Sequence, residues 1–194
     1  ALPQSIGVPV GTVTLDDFAA TDMILAFGQN VGTNSPRMLH PLQAAARRGI
    51  PIHVYNPLRE RGWISFANPQ SPREMLGGHP TPIASAYHQV KAGGDLAALS
   101  GICKHLLALE ASEGGVLDHD FIATHTHGFA AFAAWLDARP WEEIEQESGL
   151  PRQALQATAA AYARVSSAMA IYGMGLTQHR AGVETVQMLV NLLL

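Results

Sequence analysis

Met23-Ile24-Leu25-Ala26-Phe27-Gly28-Gln29-Asn30-Val31-Gly32-Thr33-Asn34-Ser35-Pro36 decides the fold. The five apolar residues 23–27, bounded by turn signals, read as a buried parallel strand. Gly, Gln, Asn, Thr and Ser then make a polar loop. Pro36 opens a helical pattern, a position where its missing N–H costs nothing. Strand, small polar loop and helix is the arrangement that places ligands at the carboxyl end of a strand in open α/β sheets. N–H groups at a helix start favour anions, phosphate above all. Gly28 and Gly32 let backbone approach a ligand, and Gln29, Asn30, Thr33 and Asn34 offer amides and hydroxyls. The loop carries neither G-x-G-x-x-G nor G-x-x-x-x-G-K-[ST], so an ordinary strand-to-helix connection is the competing reading.

Outward from this stretch, a helix is expected from Pro36 to Arg48, with Met38, Leu39, Leu42, Ala45 and Ala46 on one face and Gly49 as its stop. Residues 50–56 are the next strand, so 23–56 is a βαβ unit with parallel strands. Upstream, residues 1–13 read as loop or edge strand. Thr14 three residues before Asp17 suggests a capping-box-like start to a short helix over 15–20. Downstream, Asn56-Pro57-Leu58-Arg59-Glu60-Arg61-Gly62 follows the second strand, and 62–82 reads as an irregular Pro- and Gly-rich excursion. A third strand is expected over 83–90, a turn at 91–95 and an apolar helix over 96–109. Residues 114–165 read as wholly helical. A strand at 168–172 and a last helix from about Ala181 complete the chain.

Composition sets outer limits. With 194 residues, 47% hydrophobic and 14% charged, the chain can bury a sizeable core. A net charge of −4 gives a nucleic-acid partner no electrostatic support. No apolar run approaches the roughly 20 residues of a membrane span, and the first residues lack the pattern of a signal peptide. A cytoplasmic location is the expectation. The lone Cys103 excludes an internal disulfide and reads as a small buried apolar residue. The chain begins without Met and stops inside an apolar helical pattern, so it is expected to be a domain of a longer protein. That apolar helix is also expected to self-associate where it is left uncovered.

Four strand-end loops, 28–34, 55–59, 91–95 and 173–179, carry small and polar residues. Parallel strands would bring them to one rim, whose donors suit a nucleotide-like ligand better than acid–base chemistry. The histidines at 119, 125 and 127 have no Glu-flanked i, i+4 spacing and no C-x-x-C beside them, so they read as surface residues and no metal ligand is assigned. Glu142, Glu143, Glu145 and Glu147 read as a solvated helix face.

These loops carry a family resemblance. F-G-Q-N-V-G-T-N-S-P-R (27–37), I-H-V-Y-N-P-L-R-E (52–60), K-A-G-G-D-L-A-A-L (91–99) and Y-G-M-G-L-T-Q-H-R-A-G-V-E-T-V (172–186) resemble, in order and spacing, the molybdopterin oxidoreductase family of dimethyl sulfoxide reductases and formate dehydrogenases. The form N-P-L-R-E most resembles the formate-dehydrogenase-like alpha subunits. The resemblance covers essentially the whole chain. It implies one Rossmann-like α/β domain, 1–194, with an open, mainly parallel sheet, helices on both faces and a helical insertion around 114–165. It implies a molybdenum-bearing bis(molybdopterin guanine dinucleotide) cofactor, with this domain holding one guanine dinucleotide. The implied partners are the remaining domains of the parent and a small-molecule substrate.

Carried over by position, Gly28 brings the backbone close to the cofactor, and Asn30, Thr33 and Asn34 meet its phosphates. Tyr55, Asn56 and Arg59 flank the guanosine, Gly93 and Asp95 face guanine, and Met174, Gly175 and Gln178 approach the pterin. Many members carry Asp where this chain has Asn56. The family's metal-ligating Cys, selenocysteine or Ser, and any iron–sulfur motif, lie upstream of the segment, so no catalytic residue is assigned here. Two alternatives stand beside these implications. Asp95 could be a plain helix N-cap, and the whole domain a non-catalytic nucleotide-binding or scaffold module.

Overall fold

The computed structural model describes residues 1–194. In chain order the elements are α1 (Leu2–Ile6), α2 (Asp17–Ala20), β1 (Met23–Phe27), α3 (Val31–Asn34), a 3-10 turn (Pro36–Met38), α4 (Leu39–Arg47), β2 (Ile52–Tyr55), α5 (Arg61–Ile64), β3 (Ser65–Phe66), α6 (Pro72–Met75), β4 (Thr81–Pro82), β5 (Ala86–His88), α7 (Asp95–Glu113), α8 (His119–His125), α9 (Phe129–Ala138), α10 (Trp141–Ser148), α11 (Arg152–Tyr162), β6 (Ala168–Tyr172), α12 (Met174–Thr177) and α13 (Gly182–Leu193). The chain folds into two compact units. A sheet unit comprises Val10–Gln89 and Ser166–Leu176, and a helical unit comprises Ala1–Pro9, Val90–Val165 and Thr177–Leu194.

The sheet unit is built on β1. Its five residues are all buried, and it pairs with β2 on one side and β6 on the other, both parallel. Strand β5 extends the sheet beyond β2, giving the order β5-β2-β1-β6. The βαβ expectation therefore holds, and so does the mainly parallel sheet flanked by helices. Side chains alternate along a strand, so Ile24 and Ala26, Ile52 and Val54, and Met169 share one core cluster with Phe18, Leu39, Leu42 and Ala45. At the carboxyl ends on the other face, Phe27, Tyr55 and His88 stack in a row, with ring centroids 4.7 and 4.5 Å apart. His53 lies 5.8 Å from His88. Burial holds His53 below its ordinary value, and burial together with His53 brings His88 down to about 4, so both are neutral rings at pH 7.

Local chemistry explains the boundaries. Thr14 donates to the Asp17 carboxylate through its N–H at 2.6 Å and its hydroxyl at 2.9 Å, but α2 starts only at Asp17, with Asp16 as N-cap and no side-chain cap bond, so the anticipated capping box over 15–20 does not form. The helix expected from Pro36 is divided differently. The polar loop itself coils into α3, because the Asn30 side chain caps Thr33 N–H at 3.2 Å. Pro36 then opens only a 3-10 turn before α4. The excursion over 62–82 is more ordered than expected. It holds α5, α6 and the antiparallel β3–β4 ribbon. Gln43 and Arg47 of α4 pin it, bonding Glu74 at 2.9 and 2.8 Å and Thr81 at 3.0 and 3.2 Å.

Glycine backbones hold the loops at the sheet's carboxyl end. Gly28 has φ +55°, and a Cβ there would lie 2.6 Å from Leu176 N and 2.7 Å from Gly175 C. Gly175 N–H in turn donates to Gly28 O at 3.1 Å. A Cβ on Gly62 would meet Gly32 N at 2.8 Å. The loop after β1 is thus in backbone contact with the loop after β6 and with the start of α5.

The helical unit is centred on α7. Gly101 receives α10 and α11 closely: a Cβ there would meet Leu155 at 2.6 Å and Ile144 at 3.0 Å. Lys104 donates to Leu136 O and Asp137 O at the end of α9. Arg139 reaches Ser100 Oγ, Glu143 and Glu147, so two of the glutamates read as solvated also hold an arginine. Cys103 is buried and its thiol pushed up to about 12, which leaves it inert at neutral pH. Residues 2–6, expected as loop or strand, form α1, with Pro in the first turn and left-handed Gly7 as its end. Helix α13 packs against α7 and α1, burying Val186, Met188, Leu189, Val190 and Leu192, and exposes Val183, Leu193 and Leu194. No helix is long and apolar enough to cross a membrane.

Two predictions follow from these contacts. Gly28→Ala combines left-handed strain with a backbone clash and should cost about 2–4 kcal/mol of unfolding free energy. Gly7→Ala has φ +77° but nothing within 4 Å, and should cost only about 1 kcal/mol. Equal losses in denaturant titrations would contradict the contact.

The second prediction concerns Glu110, which joins the end of α7 to α8. Its carboxylate bonds His119 and the N–H groups of Leu117 and Val116, which lower it from 4.5 to about 2. A depressed folded pKa stabilises above the unfolded value and is lost as pH falls through the folded one. The difference in thermal midpoint between wild type and Glu110→Gln should be full above pH 4.5 and close towards pH 2. A constant difference over that range would exclude the ionised bridge.

Candidate functional site

The loops following β1 and β2 enclose a groove of ≈ 460 Å³ in the sheet unit, lined by Asn30, Gly32, Thr33, Arg59, Glu60, Arg61 and Gly62. This volume lies in the range of small-molecule sites. Two guanidinium groups, the Asn30 amide and the Thr33 hydroxyl make it a donor-rich lining, suited to phosphate oxygens. Asn30 Oδ1 is engaged as the α3 cap, which leaves its Nδ2 as the donor available to a ligand.

Each wall is braced from behind. Trp63 is fully buried and donates through Nε1 to Gln29 O at 2.6 Å, linking α5 to the loop after β1. Gln29 Nε2 reaches Ser35 Oγ at 3.1 Å. Tyr87 of β5 braces the other wall: its hydroxyl donates to Leu58 O and accepts from Glu60 N–H at 3.1 Å. The Arg59 guanidinium lies 5.5 Å from the centroid of the same ring, a cation–π arrangement that leaves the exposed side chain at the groove.

The anticipated site residues divide by position. Asn30, Thr33 and Arg59 line the groove. Asn34 is exposed one residue further along α3. Gly28 meets Gly175 rather than open space. Tyr55 is fully buried in the aromatic row, and Asn56 is buried with its N–H on His88 O, so both lie beneath the rim. Met174 and Gly175 are exposed after β6. Gly93, Asp95 and Gln178 belong to the helical unit. Gly93 takes φ +80° in the turn before α7, and Gln178 is exposed.

Asp95 is not the N-cap that the turn allowed. Gly94 occupies that position, Asp95 is the first helical residue, and no side-chain cap bond forms. The side chain is buried and its Oδ1 has no hydrogen-bond partner. Burial raises its pKa to about 6, against the lowering effects of its own N–H and of His179. An orphaned buried carboxylate oxygen fits a ligand that brings N–H donors.

Glu60, Arg61, Gly62 and Trp63 have no role assigned from sequence, and Gln29, expected to offer its amide to a ligand, bonds Ser35 Oγ through that amide and Trp63 Nε1 through its backbone O instead. The charged run Arg59-Glu60-Arg61 at a strand end is the signal that marks the first two. No group of three or more His, Cys, Asp or Glu is placed to hold a metal ion, and His119 bonds Glu110 at 2.7 Å instead.

Comparison with known proteins now bears on the motifs. No family model matches the chain. It is 44% identical over 198 residues to protein YdeP of Escherichia coli, covering all of this chain and 26% of that protein. An uncharacterized oxidoreductase of Mycobacterium tuberculosis is 37% identical over 195 residues, again across the whole chain and 25% of its own length. Formate dehydrogenase H of Escherichia coli is 27% identical over 191 residues, 98% of this chain and 24% of that enzyme. Among solved structures, acetylene hydratase from Pelobacter acetylenicus superposes with a TM-score of 0.71 at 18% identity, over 91% of this chain and 22% of that one, a likeness of fold. The chain spans about a quarter of the length of the curated relatives it matches. The resemblance read in the strand-end loops is borne out: the chain matches a segment of the molybdopterin oxidoreductase family.

Proposed function

We propose that residues 1–194 act as one functional domain of a molybdenum oxidoreductase, holding a guanine dinucleotide of bis(molybdopterin guanine dinucleotide). The observation that carries this reading is the groove with Arg59, Arg61, Asn30 and Thr33 at the carboxyl ends of two adjacent parallel strands. Brought together there, the two guanidinium groups suit a diphosphate, to which each can present a planar pair of N–H donors. Asn34 extends the donor row. Tyr55 and Asn56 support the rim from beneath, and Asp95 accepts from guanine N–H groups with Gly93 beside it. Met174, Gly175 and Gln178 take the pterin side. The bound cofactor supplies the two-electron chemistry of the parent, while these residues bind and orient it. We propose a formate-dehydrogenase-like reaction on a small-molecule substrate, with the remaining domains as partners. The exposed Val183, Leu193 and Leu194 are the proposed self-association surface of the separate segment.

The test is cofactor content of the full-length parent. Arg59→Ala should lower guanine nucleotide retention about tenfold, the loss of one charge-assisted phosphate contact. Asp95→Asn sets a donor against guanine's donors and should cost about 1–3 kcal/mol of binding, without a matching fall in thermal stability. Wild-type levels of molybdenum and nucleotide in both variants would refute the reading. Nucleotide without molybdenum in the wild type would favour the non-catalytic module. The segment alone should show no dye-linked formate turnover.

A further inference from the structure

In the sheet unit the loop after β2 is tied to β5 and its flanks at nearly every step. Asn56 N–H donates to His88 O at 3.1 Å, and Gln89 Nε2 donates to Pro57 O at 3.2 Å. The Tyr87 hydroxyl donates to Leu58 O and accepts from Glu60 N–H at 3.1 Å. Ala84 N–H donates to Trp63 O at 2.8 Å. Exposed loops are ordinarily the least ordered part of a fold, and Leu58 is 69% exposed. Here one phenol fixes the backbone on both sides of Arg59. The same ring lies under the Arg59 guanidinium, with Cζ 5.5 Å from the centroid. A single residue of a neighbouring strand thus holds Arg59 by both backbone and side chain. Strand pairing does not need that phenol, because the register Val54 to Tyr87 is made by backbone.

We infer that Tyr87 is the positioning residue of Arg59: its hydroxyl sets the backbone over 58–60, and its ring holds the guanidinium at the groove for a diphosphate. The inference rests on the diphosphate reading of the groove above and adds a residue to it. An arginine side chain has many rotamers, and ordering them on binding weakens affinity. A guanidinium already held over a ring loses fewer of them. The ring attracts the cation through its face, so the N–H donors at the edge of the guanidinium stay available to phosphate oxygens. The hydroxyl matters for a second reason. A shift of the loop would carry Arg59 away from Asn30 and Thr33, the donors it shares the groove with.

The experiment uses the whole chain in two measurements. Calorimetry follows the binding of guanosine diphosphate to wild type, Tyr87→Phe and Tyr87→Leu, each with Arg59 present and with Arg59→Ala. NMR follows the Arg59 Nε–H resonance in the three proteins that keep Arg59. Tyr87→Leu removes ring and hydroxyl and should weaken the nucleotide about 3- to 10-fold. Tyr87→Phe keeps the ring and should weaken it about 2- to 3-fold. With Arg59→Ala in place, neither change at 87 should matter by more than about 2-fold, because a positioning residue acts only through its target. Equal losses with and without Arg59 would mean that Tyr87 merely supports the groove, and would overturn the inference. Unchanged affinity in folded Tyr87→Leu overturns it too. If Tyr87→Leu does not fold, Tyr87→Phe carries both readouts under the same criteria. Failure of the wild type to bind the nucleotide overturns the diphosphate reading instead. The Arg59 resonance then still decides the hold: it should move on substitution of Tyr87, and an unmoved resonance overturns it.

Discussion

The structure of the sheet unit depends on the approach of two backbones, at Gly28 and Gly175. Parallel strands that end level with one another deliver their following loops to the same edge. Loops that meet there need space and bonded polar groups. Gly28, at positive φ, leaves β1 at an angle that sets its carbonyl on Gly175 N–H. Gly32 repeats the device against Gly62. Each close approach excludes a Cβ, and each fixes a loop without side-chain bulk. Behind the groove between β1 and β2, the side chains of Trp63 and Tyr87 complete the bracing, bonding Gln29 O, Leu58 O and Glu60 N–H.

Much of this was legible in the sequence, for identifiable reasons. β1 and β6 were found at their observed limits, because a short apolar run between turn signals has few alternatives. The helical reading of 114–165 holds, and the helix ends there are set by local chemistry: Asp118 caps Phe121 N–H at 2.8 Å, Pro140 and Pro151 precede α10 and α11, and Gly149 ends α10. Three features were not legible. α1 is a single short turn whose apolar residues carry no period to read. α3 arises from a cap bond between Asn30 and Thr33 inside a segment that also reads as a loop. The excursion over 62–82 is ordered by Gln43 and Arg47, which bond Glu74 from 31 and 27 residues upstream, so no local pattern predicts it.

The candidate site follows the same division. Residue types point to Asn30 and Thr33, the resemblance implies Arg59, and all three line the groove. Burial was harder to foresee. Tyr55 looks like a rim residue by position, yet the register Phe27, Tyr55, His88 stacks it into the sheet face. Asp95 looks like a helix cap by its neighbours, yet it enters the helix itself and leaves an oxygen unpaired. The local rule fails at a residue for which the resemblance also implies a ligand, where departures from local consistency are expected.

The central claim is that the groove between the β1 and β2 loops receives the diphosphate of a guanine nucleotide. Backbone and side-chain NMR of the chain titrated with guanosine diphosphate tests it most directly. The account predicts that the largest shifts fall on Asn30, Gly32, Thr33, Arg59, Arg61 and Gly62. Their size should saturate with nucleotide, and inorganic diphosphate should reproduce them more weakly. Saturating shifts confined to residues away from this groove, or no saturable shift at all, would contradict the account.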